Sequence, residues 1–209
     1  MDHLIYVVDD DDRIREALLD LLSAADLHAV AFQSASEYLH YSRPDVPGCL
    51  ILDVKLPDMN GLELQRRMAQ EQHPPVIFLT GHGDVPLSVR AVKAGAVDFL
   101  TKPFSRQTLL ASIEAAITQH QKTLVEWREM AKLRQRFSLL TPREREVLPL
   151  VVSGLLNKQA AAELGISEIT LQIHRGKIMH KMQAGSLAEL VRMAGRLDVQ
   201  LTHSRFPGR

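Results

Sequence analysis

The sequence predicts an α/β domain with a five-stranded parallel sheet, joined by a long helix to an all-α domain of four helices. Three observations carry that prediction. Short apolar runs rich in β-branched or aromatic residues alternate with helix-period segments through residue 118, and strands alternating with helices make a parallel sheet covered on both faces. No Gly or Pro interrupts residues 105–140. From Thr141 onward the pattern is helical to about residue 199.

The elements follow in order. A strand over 4–8 leads to a helix over 13–25 with Ile14, Leu18, Leu21 and Leu22 on one face. A weaker strand over 28–32 precedes a helix over 35–42. Strands over 49–53, 76–80 and 97–101 are followed by helices over 61–71, over 85–95 and from about 105. The last of these continues to about 136, because Ile113, Ile117, His120, Leu124, Trp127, Ala131 and Arg134 recur at helical steps among good helix formers. Thirty such residues span ~45 Å. Trp127 on this stripe either meets a partner helix or covers the helix's own apolar face. Thr141 with Glu144 forms a capping box ahead of Leu148, Val151, Val152 and Leu155, with Pro142 in the first turn and Pro149 expected to bend or shorten the helix. Asn157 opens a helix that Gly165 ends, Ser167 caps one to about Met182, and Ser186 caps one through Leu197. The divisions expected are 1–118, a helical linker over 119–136, 137–200, and a flexible tail over 201–209.

The chain of 209 residues has a formal charge of zero that conceals two opposite halves. Residues 1–118 hold 10 Lys and Arg against 17 Asp and Glu, and residues 119–209 hold 15 against 8. The basic half favours a polyanionic partner. One cysteine, Cys49, excludes an internal disulfide and reads as a small core residue. No apolar run approaches the ~20 residues of a membrane span, and no signal pattern opens the chain, so a soluble cytoplasmic protein is expected.

Ionisable residues stand at the strand ends. Asp9 and Asp10 follow Val7-Val8, Asp53 follows Leu50-Ile51-Leu52, Thr80 follows Phe78-Leu79, and Lys102 follows Leu100-Thr101. In open α/β sheets ligands sit beyond the carboxyl ends of the strands, so these groups converge at one edge. That set suits a divalent metal, a nucleophilic carboxylate and an anion clamp. Asp53, the lone acid at the centre of the sheet, is the candidate nucleophile, and Asp9 and Asp10 are hard oxygen ligands for Mg²⁺ or another divalent cation such as Mn²⁺. Asp11 and Asp12 read as a solvated helix start. Gly81-His82-Gly83 lacks the Gly-Lys-Ser/Thr of a phosphate loop and reads as a turn, and the nine histidines show no metal-ligand spacing.

Val7-Val8-Asp9-Asp10, the run from Asp53 to Gly61 (Asp-Val-Lys-Leu-Pro-Asp-Met-Asn-Gly), Thr80-Gly81 and Lys102-Pro103-Phe104 together resemble the receiver signature of two-component response regulators, a CheY/flavodoxin-like fold. The resemblance implies that Asp53 is the phosphoacceptor, that the Lys55 backbone carbonyl completes the metal ligands, that Thr80 and Lys102 hold the phosphoryl oxygens, and that Phe99 turns with Thr80 as a switch pair. A histidine kinase would supply the phosphoryl group, and a homodimer would form on phosphorylation. An aspartyl phosphatase is the enzymatic alternative, but such enzymes commonly carry a second acid where Lys55 stands. Apart from its own Mg²⁺-dependent phosphorylation and dephosphorylation, no enzyme activity is expected.

Leu140-Thr141-Pro142-Arg143-Glu144-Arg145-Glu146-Val147-Leu148, Asn157-Lys158-Gln159-Ala160-Ala161 and the run Leu164-Gly165-Ile166-Ser167-Glu168-Ile169-Thr170 resemble a LuxR-type helix-turn-helix. The pairing of the two domains is similar to regulators of the FixJ/NarL type. It implies a major-groove helix over 168–182 on double-stranded promoter DNA. The resemblance implies that positions 172, 173 and 176 face the bases; of these Gln172 can read adenine and Ile173 can touch a thymine methyl, whereas Gly176 has no side chain to offer. Lys158, Thr170, His174, Arg175, Lys177 and Lys181 would orient the domain on the backbone. The resemblance implies that the last helix pairs two such domains on DNA; Leu187, Leu190, Val191 and Ala194 give it an apolar face, part of which must close its own core, and RNA polymerase is a further expected partner. A module whose basic half binds protein is the other alternative.

Overall fold

A computed structural model of the chain describes residues 3–69, 72–81 and 85–200. The tail over 201–209, His82 and Gly83 of the expected turn, and residues 70 and 71 of the expected third helix lie outside them. The chain forms two compact units, residues 1–125 and 126–209, so the divide falls inside one long helix.

The first unit is β1 (Leu4–Val8), α1 (Asp12–Ser23), β2 (Ala29–Phe32), α2 (Ala35–His40), β3 (Gly48–Asp53), α3 (Gly61–Met68), β4 (Val76–Thr80), α4 (Val85–Lys93), β5 (Asp98–Thr101) and the first part of α5 (Arg106–Ser138). All strand pairs are parallel, in the order β2-β1-β3-β4-β5. Because strand side chains alternate, the sheet has two apolar faces. Tyr6, Val8, Leu50, Leu52, Val76 and Phe78 pack with Tyr38, Leu64, Met68 and Ala91 of α2, α3 and α4. Ile5, Val7, Cys49, Ile51, Ile77 and Leu79 pack with Leu18, Leu22, Leu109, Ile113 and Ala116 of α1 and α5. Burying each of the larger side chains contributes roughly 1.5–3 kcal/mol. Cys49 is fully buried, its thiol pushed well above the ordinary range by that burial, as a core residue should be.

Local chemistry sets the helix ends. Asp11 caps α1 by accepting from Arg13 N at 2.9 Å, so the helix begins at Asp12. It stops at Ser23 because Asp26 turns left-handed at φ 57°, two residues short of the length periodicity predicts. Gly95, at φ 94°, follows α4, and only glycine adopts that conformation without strain. α5 runs unbroken for 33 residues.

Polar contacts tie α5 to the sheet: Ser112 Oγ donates to Asp98 Oδ2 at 2.5 Å, and a second contact reaches β3. Gly48 N donates to His120 Nδ1 at 3.0 Å, and His120 is 6% exposed. A Cβ on Gly48 would stand 2.0 Å from the Leu4 carbonyl oxygen, so strand one can approach only a glycine there. Accepting at Nδ1 requires the ring to be neutral at that atom, and burial pushes its pKa down to about 4. An unfolded histidine titrates near ~6.5, so the unfolded chain takes up this proton first as pH falls. The contribution of His120 is whole above that pH and is lost between there and about 4. His120→Gln should therefore lower the melting temperature at pH 7.5 and reduce its further fall on going to pH 5. An equal fall in both proteins would exclude this role.

The second unit continues α5 into α6 (Pro142–Val152), α7 (Asn157–Leu164), α8 (Glu168–Met182) and α9 (Leu187–Arg196). The Thr141–Glu144 capping box forms as predicted. α6 runs three residues past Pro149 and ends at Val152, short of Leu155 in the expected periodic run; Ser153 closes it by donating N–H at 3.0 Å and O–H at 2.7 Å to the Pro149 carbonyl. Leu133 of α5, Val147, Leu148 and Val151 of α6, Ala160 and Ala161 of α7, Leu171, Ile178 and Met182 of α8, and Leu190 and Ala194 of α9 share one core. Among the described residues no helix is long and apolar enough to cross a membrane.

Candidate functional site

The strand registers bring the acidic residues to one edge. Val8 pairs with Leu52, Asp53 with Leu79 and Thr80 with Thr101, so Asp9, Asp53, Thr80 and Lys102 stand at or just past the carboxyl ends of four neighbouring strands. Lys102 Nζ donates to Asp9 Oδ2 at 2.7 Å and to Asp53 Oδ2 at 2.8 Å. Asp53 Oδ1 accepts from Lys55 N at 2.9 Å, which pins the loop that carries the Lys55 carbonyl. Thr80 is 2% exposed, and its carbonyl accepts from Lys102 N at 2.7 Å. Phe99 is half-buried, its ring 6.1 Å from that of Phe78.

Asp9 is 1% exposed, while Asp10 faces solvent. Burial raises the Asp9 carboxyl above its usual range, against the opposing pull of the Lys102 ammonium and the Asp11 N–H, and the nearby Asp53 charge raises it further. Burial works to lower Lys102, but Asp53 and Asp9 together hold its pKa above the usual value. One oxygen from each of Asp9, Asp10 and Asp53 lies within 4.8 Å of the others, a spacing that fits a small divalent cation with hard oxygen ligands. Among the described residues this is the one such group.

Three residues make supporting contacts that the sequence reading did not assign, although Asp58 and Gly61 stand in the run it quotes. Arg15 Nη1 donates to the Asp9 carbonyl at 2.6 Å, and Nη2 pairs with Asp12. Its position one turn into α1 offered a cue, but six residues separate it from Asp9. Asp58 accepts from Ala35 N at 3.2 Å and Ser36 N at 2.8 Å, so the loop after Asp53 is fastened to the start of α2. The Ser36 hydroxyl and these amides hold its carboxyl below the usual range. Gly61 donates to the Val54 carbonyl at 2.9 Å where α3 passes under the loop.

The helical unit places α8 on the outside of a helix-turn-helix. Gly165, left-handed at φ 64°, ends α7, and Ser167 caps α8 by accepting from Thr170 N at 3.1 Å. The Thr170 hydroxyl lies 2.8 Å from that of Ser167. Leu171, Ile178 and Met182 are buried, which turns Gln172, Ile173, Gly176 and Lys177 to solvent. Lys158 is exposed on α7. His174 is half-buried, and its Nδ1 is buried without a hydrogen-bond partner. Arg175 Nη1 donates to Asn157 Oδ1 at 3.1 Å, bracing α8 on α7. Lys181 Nζ donates at 2.7 Å to Glu144, which is 2% exposed and also accepts from Thr141 N. Burial alone would raise the Glu144 carboxyl, but Lys181 and the Thr141 donors hold it below the usual range. Lys181, its side chain 28% exposed, thus braces the buried Glu144 as well as presenting a cation at the surface. On α9, Leu190 and Ala194 close the core, and Val191 points outward.

Comparison with known proteins agrees with both halves. Residues 5–114 match the family model described as the response regulator receiver domain, and residues 138–194 match that of bacterial regulatory proteins of the luxR family. Nodulation protein W of Bradyrhizobium diazoefficiens is 48% identical over 202 residues, 96% of this chain and 89% of that protein. The response regulator protein TodT of Pseudomonas putida is 44% identical over 199 residues, 95% and 88% of the two chains. The low-resolution structure of the response regulator StyR superposes with a TM-score of 0.78 at 43% identity, covering 94% of this chain and all of that one.

Proposed function

The chain belongs to the response regulators that join a receiver domain to a LuxR-type DNA-binding domain, and on that footing we propose that Asp53 is the phosphoacceptor that controls DNA occupancy. It is a transcription regulator of a two-component system, and its phosphoryl group would come from a cognate histidine kinase. The observation that carries the assignment is the single ammonium of Lys102 shared by Asp9 and Asp53 beside Asp10 and Thr80. An Asp53 carboxylate oxygen attacks phosphorus, and the bond from phosphorus to the donor's nitrogen or oxygen breaks. Asp9, Asp10, Asp53 and the Lys55 carbonyl would hold Mg²⁺ or Mn²⁺, which supplies charge neutralisation for the transferring oxygens.

Phosphorylation replaces one negative charge on Asp53 with about two and adds acceptor oxygens. Lys102, 2.8 Å from the carboxylate, is placed to follow that charge, and the Thr80 hydroxyl to donate to it. Phe99, on the strand between them, reports the change at the surface formed by α4, β5 and α5. Val89 and Val92 are 47% and 53% exposed on α4 and give that surface an apolar face for a receiver homodimer. In the helical unit, Gln172 and Ile173 face the bases. Lys158, Thr170, His174, Arg175, Lys177 and Lys181 take the backbone, with Lys181 keeping donors beyond the one given to Glu144. Val191 and Leu187 offer a second pairing surface on α9, and a bound dimer would meet RNA polymerase from the promoter. Residues 119–136 serve as the linker.

The test is a mobility shift with full-length protein and a duplex selected from a random pool. Acetyl phosphate with Mg²⁺ should lower the half-saturating concentration by roughly 5- to 150-fold, the range of ordinary allosteric coupling. Equal affinity with and without the donor would sink the switch.

A further inference from the structure

The first turn of α8 carries an exposed isoleucine that the reading above leaves unused. Ile169 is 73% exposed, the most exposed large apolar side chain among the described residues. Residues 169, 172, 173 and 176 stand at i, i+3, i+4 and i+7, which is one face of a helix. That face lies opposite the buried Leu171, Ile178 and Met182. Ile173 is 52% exposed, and a Cβ built on Gly176 meets nothing within 4 Å beyond the adjoining backbone of its own helix and its chain neighbours. From its start the stripe therefore presents an apolar side chain, an amide, a second apolar side chain and bare backbone.

The cations do not share it. No Lys or Arg occurs from residue 159 to residue 174, and Glu168 precedes Ile169. The first turn of α8 thus has no basic side chain for a phosphate. It is also the end of such a helix that approaches base edges in the major groove. The feature that distinguishes thymine there is its C5 methyl, and an exposed isoleucine gains from covering it.

We propose that Ile169 is a specificity-determining residue, seated against the C5 methyl of a thymine one helical turn before the contact assigned to Ile173. The inference rests on α8 being the DNA-reading helix. Together the three side chains read two thymine methyls with an adenine opposite Gln172.

The experiment uses the full-length protein, treated with acetyl phosphate and Mg²⁺, and duplexes recovered from a random pool. Each thymine of the selected half-site is then replaced singly by deoxyuridine, which lacks only the methyl. At one thymine the replacement should weaken binding of the wild-type protein about fourfold, the worth of one buried methyl-sized contact. Ile169→Ala should bind the thymine duplex about that much more weakly and show no loss on replacement at the same position. A uracil penalty as large in the variant as in the wild type at every position would overturn the proposal. Recovery of no duplex by the wild-type protein would instead overturn the reading of α8 on which it rests. Because Ile169 is exposed, its variant should melt with the wild type, which ties any change to the contact.

Discussion

Asp53→Asn should reduce phosphoryl incorporation from acetyl phosphate to background and leave DNA affinity at its unphosphorylated level whether or not donor is present. The substitution is close to isosteric, so the packing at the end of β3 stays. An amide cannot act as the nucleophile, and it removes the charge that Lys102 Nζ meets at 2.8 Å. Lys102 keeps Asp9 at 2.7 Å, so its ammonium is not stranded, and the fold should survive. Intact mass after donor treatment reads the first effect, and a mobility shift reads the second. Incorporation at the wild-type level would place the acceptor elsewhere; a donor-dependent shift in the variant would separate DNA binding from Asp53 altogether.

Gly61→Ala should destabilise the receiver unit by about 3 kcal/mol, or roughly 10 °C in melting temperature. A Cβ at this position would lie 2.4 Å from the Asp53 carbonyl oxygen, 3.1 Å from Phe78 Cε1 and 3.2 Å from Val54 Cα. Two of these neighbours are backbone, at the last residue of β3 and the one after it, and cannot turn aside as a side-chain tip can. Relief must come from moving α3 or the end of β3. Either movement shifts Asp53 against Asp9 and Lys102, so the rate of phosphoryl uptake should fall together with stability. Calorimetry and a time course with acetyl phosphate measure the two. A variant as stable and as fast as wild type would show that the backbone at this crossing gives way at no cost.

β1, β3 and β4 were most legible because each is a short buried run, and burial on both faces leaves a continuous apolar signature; β2 and β5, at the sheet edges, are only partly buried and leave a weaker one. Asp9, Asp53, Thr80 and Lys102 were legible for the same reason: each is the polar residue at which an apolar run stops. Helix ends governed by a capping side chain, such as Thr141 with Glu144, were equally visible, because cap and partner lie within one turn. The left-handed end at Gly165 was visible too, because glycine marks it, but the one at Asp26 was not, since nothing in that residue marks it for the role. Arg15 on the Asp9 carbonyl, Asp58 on the amides of α2, and Glu144 with Lys181 were hidden by separation. These contacts join residues 6, 22 to 23 and 37 positions apart, and no local period connects them.

Taken alone, then, the order of residues determined which elements form, the parallel sheet, the collection of carboxylates and an ammonium at one edge, and a basic helical unit behind a long helix. Those follow from periodicity and from the rule that parallel strands end on one side. Tertiary structure decided which oxygen meets which nitrogen: that Lys102 bridges two carboxylates, that Gly48 and Gly61 stand where another backbone passes too close for a Cβ, and that Ile169 shares its exposed face with Gln172 and Ile173. Such choices depend on how elements far apart in the chain pack in three dimensions, and packing acts on distances that a one-dimensional pattern does not contain.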